Sequence, residues 1–275
     1  MIVRLIILIS LICLFNSCAK NKDDIYEPSK LTDPFKLYDE GLAAFKENNF
    51  FFANKKFSEA ELNFSKPELA AKSAIMASYS LYGINFYDEA EENIKRYLKT
   101  YPADKHVIYA KYLLAIIYYE QITDEKKDLD PLLKTRDSID LFLKQYPDTD
   151  YATDLRYKRS LVKNQLAAKE LYIARYYISV KKWIPAINRL KIILEKYDTT
   201  IFVEEALHRL VEIYYYLGLE KEARNYAAIL GYNYNSSEWF KKSYKVFDKN
   251  YEEFKQEAKK EKKESIFSRI IKIIE

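Results

Sequence analysis

The sequence predicts an all-α protein, a solenoid of about five helix pairs, on three observations. Past Asp33-Pro34, apolar and aromatic residues recur at three- and four-residue spacings almost without interruption, which stacks them on one face of successive helices. Only 4 glycines and 7 prolines punctuate 275 residues, so breaks are few. That scarcity argues against sandwiches and glycine-rich dinucleotide turns. Small and aromatic positions repeat with a constant period, 37 residues from Ala53 to Ala90 and again from Ala186 to Ala223.

Residues 1–17 read as a signal peptide, with Arg4 in a short positive start and Leu5 to Phe15 almost wholly apolar before Asn16-Ser17-Cys18. This apolar run falls well short of the roughly 20 residues that a membrane-spanning helix needs. Asn16-Ser17-Cys18 resembles the bacterial lipobox, although Phe15 stands where that pattern prefers Leu. The resemblance implies a covalent lipid on Cys18, and Ala19 in place of Asp implies sorting to the outer membrane. Cys13 leaves with the leader, so no disulfide within the mature chain and no cysteine metal site is possible. A mature domain of roughly 250 residues buries enough apolar surface without such a staple. Residues 18–33 form a polar tether, lifting the domain off its anchor.

Residues 34–148 hold repeats one to three. The first carries Gly41, Phe50, Ala53, Phe57 and Ala60, and the second Ser78, Tyr87, Ala90, Ile94 and Tyr97 at matching offsets. In the third, helix A is expected over about His106 to Gln121 and helix B over about Leu132 to Tyr146, with the charged insertion Ile122 to Asp130 as a solvated loop. Tyr101-Pro102 and Tyr146-Pro147 each stop a B helix, because proline donates no hydrogen bond and restricts the residue before it. Residues 149–238 hold a linking helix, expected over Asp154 to Glu170 and continuous with Leu171 onward, and repeats four and five. Repeat four carries Ala174, Trp183, Ala186, Leu190 and Ile193, with Pro185 tolerated in the first turn of its B helix. Repeat five carries Val211, Glu220, Ala223, Ala227 and Leu230. These blocks resemble the tetratricopeptide repeat, in which small residues on helices A and B let the pair cross closely. Residues 239–275 are a helical extension, mixed in charge over Glu252 to Glu264 and apolar at Ile266, Phe267, Ile270, Ile271, Ile273 and Ile274.

Little in the chain points to catalysis. His106 and His208 lie far apart with no HExxH, CxxC or paired-carboxylate spacing around them, and both are expected at the surface or in a groove. The four glycines are isolated, and no serine sits in a GxSxG elbow. Removing Arg4 with the leader leaves 44 basic against 41 acidic residues, a balance of +3, too weak to argue for nucleic acid. Most of the 26 tyrosines are expected in the core of the stack. Adjacent runs such as Tyr118-Tyr119, Tyr176-Tyr177 and Tyr214-Tyr215-Tyr216 cannot all point inward, so some of them line a groove or meet solvent.

The run from Glu170 to Arg189 and the run from Asn93 to Pro102, with Arg96-Tyr97 before its Tyr-Pro stop, resemble the BamD family of tetratricopeptide lipoproteins. The likeness extends over roughly Cys18 to Trp239. It implies a non-catalytic scaffold of the outer-membrane β-barrel assembly (BAM) complex, with no cofactor beyond the lipid on Cys18. Its partners would be the periplasmic POTRA domains of the barrel subunit BamA, other BAM lipoproteins and unfolded outer-membrane β-barrel proteins. Arg175, Tyr176, Tyr177 and Arg189 are the implied BamA contacts. Tyr79, Tyr82, Arg96 and Tyr112 are the candidate substrate contacts, since a groove of tyrosines with a cation suits a strand that alternates apolar and polar residues. Another periplasmic repeat lipoprotein, a secretin pilotin or a cell-division coordinator, is the competing reading.

Overall fold

The computed structural model describes residues 33–123 and 129–247, and among them every regular element is an α-helix. In chain order these are α1 Pro34–Lys46, α2 Phe50–Asn63, α3 Pro67–Gly83, α4 Tyr87–Thr100, α5 Val107–Glu120 and α6 Asp130–Gln145. There follow α7 Asp150–Ser179, α8 Trp183–Lys196, α9 Val203–Tyr216, α10 Glu220–Asn233 and α11 Glu238–Lys245. Consecutive helices pack as pairs: α1 with α2, α3 with α4, α5 with α6, the second half of α7 with α8, and α9 with α10. No described helix is long and apolar enough to cross a membrane.

The pairs form because their starts, turns and crossings are all specified locally. Side-chain oxygens of Asp33, Asn49, Thr149 and Ser237 accept from backbone N–H groups at the starts of α1, α2, α7 and α11, and Pro34, Pro67 and Pro131 occupy first-turn positions where no donor is missed. The turn from helix A to helix B passes through a left-handed residue in four repeats: Asn48, Asn85, Lys181 and Gly218, with φ of 59°, 61°, 58° and 76°. In each, the next residue's N–H returns to the carbonyl five residues back: Asn49 to Ala44 (2.9 Å), Phe86 to Leu81 (3.0 Å), Lys182 to Tyr177 (2.8 Å) and Leu219 to Tyr214 (2.9 Å). Asn48 and Asn85 lie 37 residues apart, as do Lys181 and Gly218.

At the crossings, Ala53, Ala90, Thr135, Ala186 and Ala223 are all 0 % exposed on the B helices. Gly41, Ser78, Ala115, Ala174 and Val211 are buried opposite them on the A helices. A Cβ on Gly41 would fall 2.8 Å from the ring of Phe57, so the first crossing is closer than any larger residue permits. Thr135 fits because its hydroxyl donates to the Pro131 carbonyl at 2.7 Å.

Two departures from the period shape the stack. Thr135 lies 45 residues after Ala90, so the insertion in repeat three adds eight; its residues 124–128 fall outside the described residues. Ala186 lies 51 residues after Thr135, and those fourteen extra residues go into α7, which runs for 30 residues, roughly 45 Å. Through Ala152, Leu155, Val162 and Leu166 this helix packs with Ile139 and Phe142 of α6, and through Leu171 and Ala174 with Ala186 and Leu190 of α8. It starts at Asp150, four residues before the expected linker, because Thr149 caps it by accepting from Ala152 N at 3.3 Å. The third-repeat helices end within two residues of expectation.

Beyond repeat five, α11 folds back on α9 and α10 and packs Trp239, Phe240 and Val246 into the stack. The expected helix over Glu252 to Glu264 and the apolar end at Ile266 to Ile274 lie outside the described residues, as do the leader and the tether up to residue 32. His208 corrects an expectation. It is 3 % exposed beneath α11, not at the surface, and shares a 2.8 Å hydrogen bond with Ser243.

The turns generate a stability prediction. Nothing lies within 4 Å of a Cβ placed on Gly218, so Gly218→Ala carries only the left-handed backbone penalty and should lower unfolding stability by about 1 kcal/mol. Lys181→Gly should raise it by roughly half as much, since relief of strain is partly offset by the freer unfolded chain. Urea midpoints at unchanged slope check both, and a stabilising Gly218→Ala would contradict the assignment.

Candidate functional site

A tyrosine face runs across the A helices. Ring centroids step from Phe45 on α1 to Tyr79 (5.6 Å) and Tyr82 (5.7 Å) on α3, then to Tyr87 (6.1 Å) at the start of α4. Beside them, Tyr109 and Tyr112 of α5 meet Tyr151 of α7 at 5.9 and 4.7 Å. Helix α3 touches α5 and α5 touches α7 directly, which places the A helices on the inner, shorter-radius side of the stack. The phenols are half-buried or, for Tyr151, partly exposed, leaving aromatic edges and hydroxyls available to a peptide.

Burial favours the neutral form of four of them. The hydroxyls of Tyr82, Tyr87, Tyr109 and Tyr112 are all pushed up by loss of water, with Glu120 adding to the rise at Tyr82 and Tyr87. At Tyr112 the second cause is its own hydrogen bond, donated to Asp154 Oδ2 at 3.0 Å. The face therefore offers hydrogen-bond donors and π surfaces at any physiological pH.

Of the four expected substrate contacts, the fold brings together Tyr79, Tyr82 and Tyr112 and sends Arg96 elsewhere. Arg96 lies on the B helix α4, where its guanidinium grips buried Glu61 of α2 with two bonds, Nη1 to Oε1 at 2.6 Å and Nη2 to Oε2 at 2.7 Å. Tyr101 also donates to Glu61, at 3.1 Å, and burial followed by that carboxylate pushes its phenol up to about 12. This cluster ties repeat one to repeat two, because removing the cation would leave a buried carboxylate unpaired. Sequence reasoning missed Tyr109 and Tyr151, whose only signal is their placement on A helices facing Tyr112.

The C-terminal repeats carry a second surface. Arg175 of α7 makes a two-pronged pair with buried Glu205 of α9, Nε to Oε1 at 2.9 Å and Nη2 to Oε2. Arg209 bonds the same Glu205 at 3.3 Å and Glu212 at 2.7 Å, so one charge network spans α7 and α9. Arg189 of α8 reaches Glu170 of α7 at 3.0 Å and keeps part of its guanidinium in solvent. Tyr177 packs into the core, while Tyr176 beside it stays 59 % exposed. Near them Trp183 contacts Tyr216 at 4.8 Å, and Ile184, 71 % exposed, extends this apolar edge over repeats four and five. Among the described residues no cluster of three or more His, Cys, Asp or Glu could hold a metal ion.

Comparison with known proteins adds a family. The YfiO family, described as outer membrane lipoprotein, matches residues 31–229. The outer membrane protein assembly factor BamD of Rickettsia prowazekii is 34% identical over 233 residues, covering 85% of this chain and 90% of that protein. That of Caulobacter vibrioides is 36% identical over 214 residues, covering 78% and 70%. That of Xylella fastidiosa strain Temecula1 is 25% identical over 215 residues.

His208 makes the C-terminal surface sensitive to acid. Burial lowers its pKa from 6.5 to about 4; Glu212 and Glu205 oppose the shift, whereas Arg209 and Lys242 reinforce it. Between those values the unfolded chain binds the proton and the folded chain does not. Stability is therefore full above pH 6.5 and falls as pH drops toward 4, by up to roughly 3 kcal/mol. Urea unfolding read by Trp239 fluorescence at pH 7 and pH 4.5 should show that loss, and His208→Gln should show about 2 kcal/mol less of it. An equal acid loss in both proteins would refute the assignment.

Proposed function

We infer that this chain, which belongs to the BamD family of outer-membrane protein assembly factors, works as a two-surface adaptor in outer-membrane protein assembly. Its inner tyrosine face receives unfolded β-barrel proteins, and its C-terminal repeats dock on the POTRA domains of BamA. The observation that carries the reading is the tyrosine face itself, a row of phenols on the A helices of repeats two and three and the start of α7, continued by Phe45 on α1. An outer-membrane strand alternates apolar and polar side chains, and such a row offers ring faces to the first and hydroxyls to the second.

On the C-terminal side, Tyr176 and the solvent-facing parts of Arg175 and Arg189 are the groups open to a partner. Tyr177 acts behind them by packing in the core, and Arg175 also fixes α9 to α7 through Glu205. A planar guanidinium suits a bidentate contact to an acidic BamA residue. The protein is a scaffold and not a catalyst in this reading, held at the periplasmic face of the outer membrane by lipid on Cys18, which lies outside the described residues. Other BAM lipoproteins share the complex.

Affinity purification of BamA from solubilised outer membranes tests the docking surface. Arg189→Glu should lower BamA recovery at least about fivefold. The swap Glu170→Arg with Arg189→Glu rebuilds the internal pair but reverses the charge shown to a partner, and recovery should stay low. Full recovery in the swap would assign Arg189 a purely internal role and remove it from the interface.

A further inference from the structure

The tyrosine face ends at a cleft whose charges are all of one sign. A cleft of about 310 Å³ lies where the α3–α4 turn meets the end of α5, lined by Asn85, Phe86, Tyr87, Asp88, Glu89 and Gln121. Two of these are aromatic, two are carboxylates and none is a cation. Beside it, Glu120 is the exposed last residue of α5 and acts on the hydroxyls of both Tyr82 and Tyr87.

Asp88 and Glu89 have an ordinary reason to be there, since acidic residues stabilise the first turn of α4. Glu120 has the opposite placement. It stands at a helix C-terminus, where the carbonyl ends already make the site negative and a carboxylate is disfavoured. Among the described residues no hydrogen bond or ion pair is made to it. Among the described residues, Lys158, which lies over the ring of neighbouring Tyr119, pairs with Asp154 at 3.0 Å, and Lys95 pairs with Glu91. Ring faces together with a carboxylate that no described residue pairs, at a negative helix end, make a seat for a cation.

We propose that the tyrosine face selects segments carrying a basic side chain among their aromatics, a Lys or Arg of the incoming chain lying against Tyr82 and Tyr87 and meeting Glu120 at the mouth of the cleft. The inference rests on the reading that this face receives unfolded segments, and it adds the chemistry by which one segment is preferred to another. Arg96, the cation expected in the groove, is consumed by Glu61, so the face supplies carboxylates and the segment supplies the positive charge.

Fluorescence anisotropy with the full mature chain tests this. The probes are labelled, amidated peptides of about ten residues alternating aromatic and polar side chains, identical except for Lys, Gln or Glu at one polar position. Affinity should fall in that order, the Lys peptide binding about tenfold more tightly than the Glu peptide and the gap narrowing in high salt. Glu120→Gln should leave the Gln peptide unchanged and bring the Lys peptide down to it. If all three peptides bind alike and each loses binding on Tyr82→Ala, the basic preference is overturned while the receiving face stands. If no peptide shows binding that depends on Tyr82, the receiving face and the preference fall together.

Discussion

The close crossing of helix A on helix B is the constraint on which the other features of this protein depend. At each crossing a residue no larger than threonine on the B helix sits fully buried against the A helix, and at Gly41 even a methyl group would collide with Phe57. Close packing of this kind leaves no room to slide, so each pair sets the orientation of the next. The 37-residue period then presents the same side of every A helix to the inner surface. A row of tyrosines from α3 to α7 is the consequence, not a separate device.

Where the period is broken, the break has a structural result. The fourteen extra residues before repeat four are absorbed as four turns of a single unbroken helix, so α7 carries cores of both halves along one axis. Tyr197, at the end of α8, packs against both cores and closes the joint. Position matters because the two proposed surfaces include opposite ends of this helix, Tyr151 near its start and Tyr176 near its end. A client held by repeats two and three and a partner held by repeats four and five are spaced by a rigid element rather than by a tether.

Much of this was legible in the residues. The 37-residue step between alanines, the tyrosine-proline stops and the small residues at matched offsets imply the stack before any coordinates, because they encode local geometry. Pairings between distant residues were not legible. Arg96 finds Glu61 at a sequence separation of 35 and Arg175 finds Glu205 at 30, and no local pattern reveals which acidic residue an arginine will pair with. His208 was misread for the same reason: its burial comes from α11, which lies beyond the last repeat. Tyr109 and Tyr151 gain meaning only once their helices are neighbours.

Photo-crosslinking in cells tests the division of surfaces most directly. A photoreactive residue placed at Tyr79, Tyr82 or Tyr112 should capture newly made β-barrel proteins, whereas the same residue at Arg96, on the B helix α4 away from the tyrosine face, should capture few. Capture from Arg96 equal to that from the three tyrosine positions would contradict the account, because it would place the client on the outer helices and leave the tyrosine face without its role.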